Sequence, residues 1–140
     1  MNIVITGAGG VLCSAFSRAL AADGHKIALL DLNLEAAERE AEGIRKAGGE
    51  AIAVQANVLD KESLKDLTAR LKKKQSPDII VIDSVHYWLG FKMSDYMKLR
   101  QQFPDKLFIF VAHERKGEPK GSLAQNLRYD ADIKIRVEGY

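Results

Sequence analysis

Short apolar runs alternate with longer amphipathic segments from one end of the chain to the other, the pattern of strands and helices woven into a parallel sheet. Strands are expected at Asn2 to Thr6, Lys26 to Asp31, Ala51 to Val54, Asp78 to Asp83, Leu107 to Ala112 and Asp132 to Val137. The first, second, fourth and fifth are almost continuously apolar, as strands covered on both faces are. The last alternates apolar and charged positions through Ile133, Lys134, Ile135, Arg136 and Val137. That alternation suits a far edge of the sheet, where outward cations discourage further pairing.

Helices fill the gaps. Cys13 to Ala22 stops at Gly24, and Leu34 to Ala47 stops at Gly48 and Gly49 after Arg45 and Lys46. Asp60 suits the N-cap of a helix from Lys61 to Lys74, with Glu62 and Asp66 early and Lys72, Lys73 and Lys74 late, matching the helix dipole. A fourth helix is expected over Met93 to Gln102, with Pro104 beyond its end. The elements add up to an α/β protein, a three-layer α/β/α sandwich around a mainly parallel sheet. At 140 residues one domain spanning 1–140 is the economical reading.

Composition changes this picture little. The chain is 46% hydrophobic and 29% charged, and its net charge of +2 is too mild to argue for nucleic acid. One cysteine, Cys13, cannot form an internal disulfide, which fits a reducing, cytoplasmic setting. No stretch approaches the roughly 20 apolar residues of a membrane helix, and no charged leader precedes the first strand. Three histidines and one cysteine show no zinc spacing, so no metal is expected.

The candidate chemistry lies after the first strand, in Thr6-Gly7-Ala8-Gly9-Gly10-Val11-Leu12-Cys13. Glycines there allow a sharp turn and let backbone N–H groups approach a pyrophosphate at the start of a helix. The third glycine of the usual dinucleotide fingerprint is missing, and Leu12 or Cys13 stands in its place. Asp31, ending the second strand, is placed to accept the hydroxyls of an adenine ribose. Leu32 and Asn33 beside it, rather than arginine, favour NAD over NADP. These residues resemble the short-chain dehydrogenase/reductase family over about residues 2 to 70, including Ala53-Val54-Gln55-Ala56-Asn57-Val58, which looks like the family's adenine-contacting aspartate-valine pair with Asn57 for aspartate. The resemblance implies a Rossmann-like sheet and a weak NAD site made by Thr6, Gly7, Gly9, Gly10, Val11, Leu12, Asp31, Leu32, Asn57 and Val58.

The family's later motifs do not follow. Its fourth strand leads to an Asn-Ala-Gly type motif, then a serine and a Tyr-x-x-x-Lys pair, in which lysine acidifies the phenol. Here Ser84-Val85-His86-Tyr87-Trp88 follows the fourth strand, and the nearest pair is Tyr96 with Arg100. Residues 78 to 140 resemble RecA-like ATPases instead: Ile79 to Ser84 looks like a Walker B strand, Leu107 to Glu114 like a sensor strand, and His113 to Gly121 with Asp130 to Gly139 like a closing loop and terminal strand. A phosphate loop is missing. The expectation is therefore an engineered chimera joined near Lys72 to Pro77, with no catalytic residues, no evolved activity and weak NAD binding at most. The alternatives are an NAD-dependent short-chain oxidoreductase fragment and a RecA-like module binding nucleotide through Asp83. Dehydrogenase-like sheets run 3-2-1-4-5, whereas RecA-like sheets put the sensor strand beside the first; the former is favoured. The oligomeric state is left open.

Overall fold

Five parallel strands form the sheet in the computed structural model, which describes residues 1–58, 60, 77–85, 92–131 and 133–134. They are β1 (Asn2–Thr6), β2 (Lys26–Asp31), β3 (Glu50–Gln55), β4 (Ile79–Ile82) and β5 (Leu107–Phe110), in the order β3-β2-β1-β4-β5. The expected dehydrogenase-like order is therefore the observed one. Helix α1 (Val11–Ala22) follows β1, α2 (Leu34–Lys46) follows β2, α3 (Met93–Gln102) precedes β5, and α4 (Ser122–Asp130) follows a small hairpin of β6 (Glu114–Arg115) and β7 (Glu118–Pro119).

Register decides which side chains meet. Ile5 lies beside Leu29 and Val81, and Leu29 lies beside Ala53. Alternation along the strands puts Ile3, Ile5, Ile27, Leu29, Ala51 and Val81 on one face, where they join Ala21 of α1 and Ala37, Ala41 and Ile44 of α2 in the main core. Small residues on α2 let it lie close to the sheet. Val4, Ala28 and Leu30 point to the opposite face and pack with Ala56. Farther along, α3 and α4 close a third cluster of Val85, Tyr96, Ala124 and Leu127, with Tyr96 edge-on to Phe110 at 5.7 Å between ring centroids.

Several boundaries shift by one or two residues where strands and helices fray. The first helix begins at Val11 rather than Cys13, and the second ends at Lys46; β3 gains Glu50 and Gln55, β4 loses Asp78 and Asp83, and β5 stops at Phe110. A larger correction concerns β5, whose apolar run predicts cover on both faces. Leu107 and Ile109 are 54% and 40% exposed, because β5 is the outermost strand of the described sheet and α1 and α2 pack over β1 to β4. The expected closing loop, His113 to Gly121, holds the hairpin, and α4 follows it over residues for which no element is expected from the sequence. The turn of that hairpin puts Lys116 and Gly117 at φ 57° and 84°. The expected helix Lys61 to Lys74 lies outside the described residues. So does most of the expected strand Asp132 to Val137, of which Ile133 and Lys134 are described and carry no regular structure.

Candidate functional site

The carboxyl ends of β2, β1 and β4 converge on the turn between β1 and α1. Gly7 adopts φ 64°, in the left-handed region that glycine tolerates best, and its carbonyl accepts the Gly10 N–H at 2.9 Å, closing the turn. The Ala8 N–H donates to the Leu30 carbonyl at 3.1 Å, docking the turn on the end of β2. Gly10 is the N-cap of α1; no side chain caps that end and no acidic residue occupies the first turn. The leading N–H groups of α1 and their partial positive charge are thus left to an anion approaching from outside, beside the exposed Val11 and Leu12.

Asp31 braces the turn from the β2 side. Its Oδ2 accepts the Gly9 N–H at 2.9 Å and its Oδ1 accepts the Asn33 N–H at 2.9 Å. Helix α2 is capped by Asn33, whose Oδ1 accepts the Ala36 N–H at 3.2 Å, so Asp31 is not the cap of that helix. Gln55 donates from Nε2 to the Leu32 carbonyl at 3.1 Å and fixes the backbone beyond Asp31, a contact the sequence did not suggest. A Cβ on Gly9 would stand 2.6 Å from the Ala36 Cβ and 3.1 Å from Asp31 Oδ2, so only glycine lets the turn lie this close to α2 and the carboxylate. An uncapped helix end, a glycine cradle and a strand-end carboxylate fit the pyrophosphate and adenine ribose of a dinucleotide.

The structure brings Thr6, Gly7, Gly9, Gly10, Val11, Leu12, Asp31 and Leu32 to one edge of the sheet. Asn57 and Val58 follow β3 and are partly buried; Ala56 just before them donates its N–H to the Asp31 carbonyl at 3.0 Å. Thr6 is buried, and its hydroxyl is engaged with the backbone of Asp83, accepting from N at 2.9 Å and donating to O at 3.2 Å. At the fingerprint's third position the two candidates separate: Cys13 is fully buried in the main core, while Leu12 is exposed. Burial, reinforced by the Asp83 carboxylate, pushes the Cys13 thiol up to about 12, which makes it a packing residue rather than a nucleophile.

The RecA-like alternative has nucleotide bound through Asp83, and the structure sets that carboxylate against the glycine turn and α1. Its Oδ2 lies 3.3 Å from where a Gly7 Cβ would stand and accepts from Cys13 Sγ at 3.6 Å, and its Oδ1 accepts from the Ser84 hydroxyl. Among the described residues no group of three or more histidine, cysteine, aspartate or glutamate side chains could hold a metal ion.

Tyr96 packs in the third cluster beside Val85 and Phe110, and Arg100 lies on the same helix. The phenol donates to Asp130 Oδ2 at 2.7 Å, Arg100 donates to the same oxygen at 2.6 Å, and the guanidinium lies 5.9 Å from the Tyr96 ring centroid. Burial first, then the bond to Asp130, holds the phenol above its ordinary value, opposite to what an acid catalyst requires. The group ties α3 to α4. Asp130 sits below its ordinary value, chiefly through the Tyr96 bond and then through Arg100, so its contribution to stability is present above the unfolded carboxyl's value and is lost as pH falls through the lowered one. Asp130→Asn should lower the thermal midpoint slightly at neutral pH, and melts in increasingly acidic buffer should show the difference from wild type shrinking.

The family model described as short chain dehydrogenase matches residues 1–85. An uncharacterized oxidoreductase of Haemophilus influenzae is 49% identical over 70 residues, 50% of this chain and 25% of that protein. The uncharacterized oxidoreductase UxuB of Bacillus subtilis is 51% identical over 61 residues, 44% of this chain and 22% of that protein. Among solved structures, a Haemophilus protein assigned as a D-mannonate oxidoreductase, with bound NAD, superposes with a TM-score of 0.57 at 43% identity, covering 59% of this chain and 30% of that one. The chain thus spans a quarter or less of the length of these two curated relatives, at 25% and 22%. The family match crosses the supposed seam at Lys72 to Pro77 and takes in β4, which overturns a junction there. Natural oxidoreductases that share the first half also overturn the reading as an engineered chimera without evolved activity, and the expectation that the chain is not an enzyme. Among the described residues no helix is long and apolar enough to cross a membrane.

Proposed function

Because the chain belongs to the short-chain dehydrogenase family, we propose that it supplies the cofactor-binding part of an NAD-dependent oxidoreductase, working in the cytoplasm, with NAD held at the turn from Thr6 to Leu12. The observation that carries this reading is the Asp31 carboxylate, bonded at 2.9 Å to the Gly9 N–H of the turn and lying at the end of β2 beside it. When bound, NAD supplies the hydride-accepting and hydride-donating centre. The protein's own part is positioning. The uncapped amino end of α1 faces the pyrophosphate, Asp31 takes the adenine ribose, and Asn57 and Val58 border the adenine. The NAD-bound Haemophilus structure, alike in fold over 59% of this chain, supports the same ligand here.

A carboxylate at the ribose also repels a 2′-phosphate, so NAD is preferred over NADP. Calorimetric titration tests both points. Asp31→Ala should weaken NAD about 10- to 100-fold, the range for losing hydrogen bonds to a charged group, and NADP by much less, so that the preference collapses. Unchanged NAD affinity and an unchanged NAD-to-NADP ratio in this variant would place the nucleotide elsewhere.

A further inference from the structure

Two carboxylates flank the glycine turn, and the proposed cofactor site uses only one of them. Asp31 lies on the β2 side, 3.1 Å from the Cβ position of Gly9, and Asp83 on the β4 side, 3.3 Å from the Cβ position of Gly7. Strand order makes the two sides unequal. The chain turns back on itself at β1, with β2 and β3 to one side and β4 and β5 to the other, and a dinucleotide crosses such a switch point with one nucleotide half on each side. If Asp31 takes the adenosine half, Asp83 faces the half that carries the nicotinamide.

Asp83 is held there firmly. Its backbone N–H and carbonyl are both engaged by the Thr6 hydroxyl, at 2.9 and 3.2 Å, and its Oδ1 accepts from Ser84. The ion pairs of the described residues run elsewhere, between partners such as Arg18 and Glu40, Lys26 and Glu50, or Arg100 and Asp130. Among the described residues, no lysine or arginine therefore cancels its negative charge, and it stands next to the ligand-facing turn.

The two redox forms of the cofactor differ in one charge: the oxidised nicotinamide ring is cationic and the reduced ring is neutral. We propose that Asp83 is a specificity-determining residue that favours binding of the oxidised over the reduced dinucleotide, so that the reduced form is the more readily released of the two. This rests on the reading of the turn as an NAD site. Asp83 acts through its field and not by proton transfer, so its effect is on the relative affinity of the two forms.

The test is calorimetric affinity for NAD+ and for NADH, in wild type and in Asp83→Asn, which keeps the size and the accepting oxygen. Wild type should bind NAD+ the more tightly relative to the variant, and Asp83→Asn should lower the ratio of NAD+ to NADH affinity about three- to tenfold, the effect of one partly screened charge at a distance of several ångströms. In wild type alone the ratio should also fall as salt is raised, a readout that needs no variant to fold. Binding of both forms with a ratio that neither the substitution nor salt moves overturns the role of Asp83 and leaves the NAD site standing. Wild type that binds neither form overturns the NAD reading itself, and this inference with it.

Discussion

Gly9→Ala is expected to cost about 100-fold in NAD affinity and about 1–3 kcal/mol in stability, the range for forcing a methyl group into a filled space. The added Cβ would stand 2.6 Å from the Ala36 Cβ, closer than real carbon atoms approach, and 3.1 Å from Asp31 Oδ2. Neither neighbour is the free end of a flexible chain. Ala36 is in the first turn of α2, held by the Asn33 cap, and Asp31 ends a central strand. Relief must come from moving the turn away from α2, which breaks the Gly9 N–H bond to Asp31 and misplaces both groups that the dinucleotide needs. Gly43→Ala is the matched control, because its Cβ meets nothing within 4 Å and it sits inside α2. That variant should gain up to about 1 kcal/mol from helix propensity and leave binding alone. Titration with NAD beside urea unfolding of both variants separates the effects; wild-type affinity in Gly9→Ala would remove the turn from the site.

The sheet was legible because each central strand carries its own apolar run, and the glycine turn because its spacing is local. What could not be read locally is who faces whom across the sheet. The Thr6 hydroxyl meets Asp83 only because β1 and β4 are neighbours in register, with Ile5 beside Val81, and nothing near Thr6 in sequence announces a partner 77 positions away. An apolar strand ending in aspartate, such as Ile79 to Asp83, occurs wherever a parallel sheet delivers a side chain to its carboxyl edge, so its composition did not discriminate a dehydrogenase from an ATPase. Strand order does, and it places β5 outside β4. Helix α4 carried a usable signal in Leu123, Ala124 and Leu127 at helical spacing, in a stretch between the expected loop and strand that was assigned no element. The shared cluster of Tyr96, Arg100 and Asp130 depends on α3 meeting α4, and no local pattern encodes that meeting.

Leu29→Ala should be the most damaging single truncation for stability, at about 2–5 kcal/mol, the cost of removing a large buried side chain and leaving part of its volume empty. Leu29 is completely buried on β2, between Ile5 on one side and Ala53 on the other, and belongs to the cluster that joins the sheet to α1 and α2. Its small neighbours cannot fill the space, since Ala37 and Ala41 of α2 have no side-chain length to extend into it. A loss of this size is a large share of the roughly 5–15 kcal/mol typical of a whole domain. Leu107→Ala, the same change on the half-exposed edge of β5, should cost about 1 kcal/mol or less because little apolar area leaves the core. Urea unfolding should therefore show a much lower midpoint for Leu29→Ala than for Leu107→Ala, with similar slopes. Below the transition Leu29→Ala should still bind NAD, because the side chain points into the layer between sheet and helices rather than at the carboxyl edge. Equal losses for the two leucines would mean that β2 is not central and that Leu29 does not lie between Ile5 and Ala53.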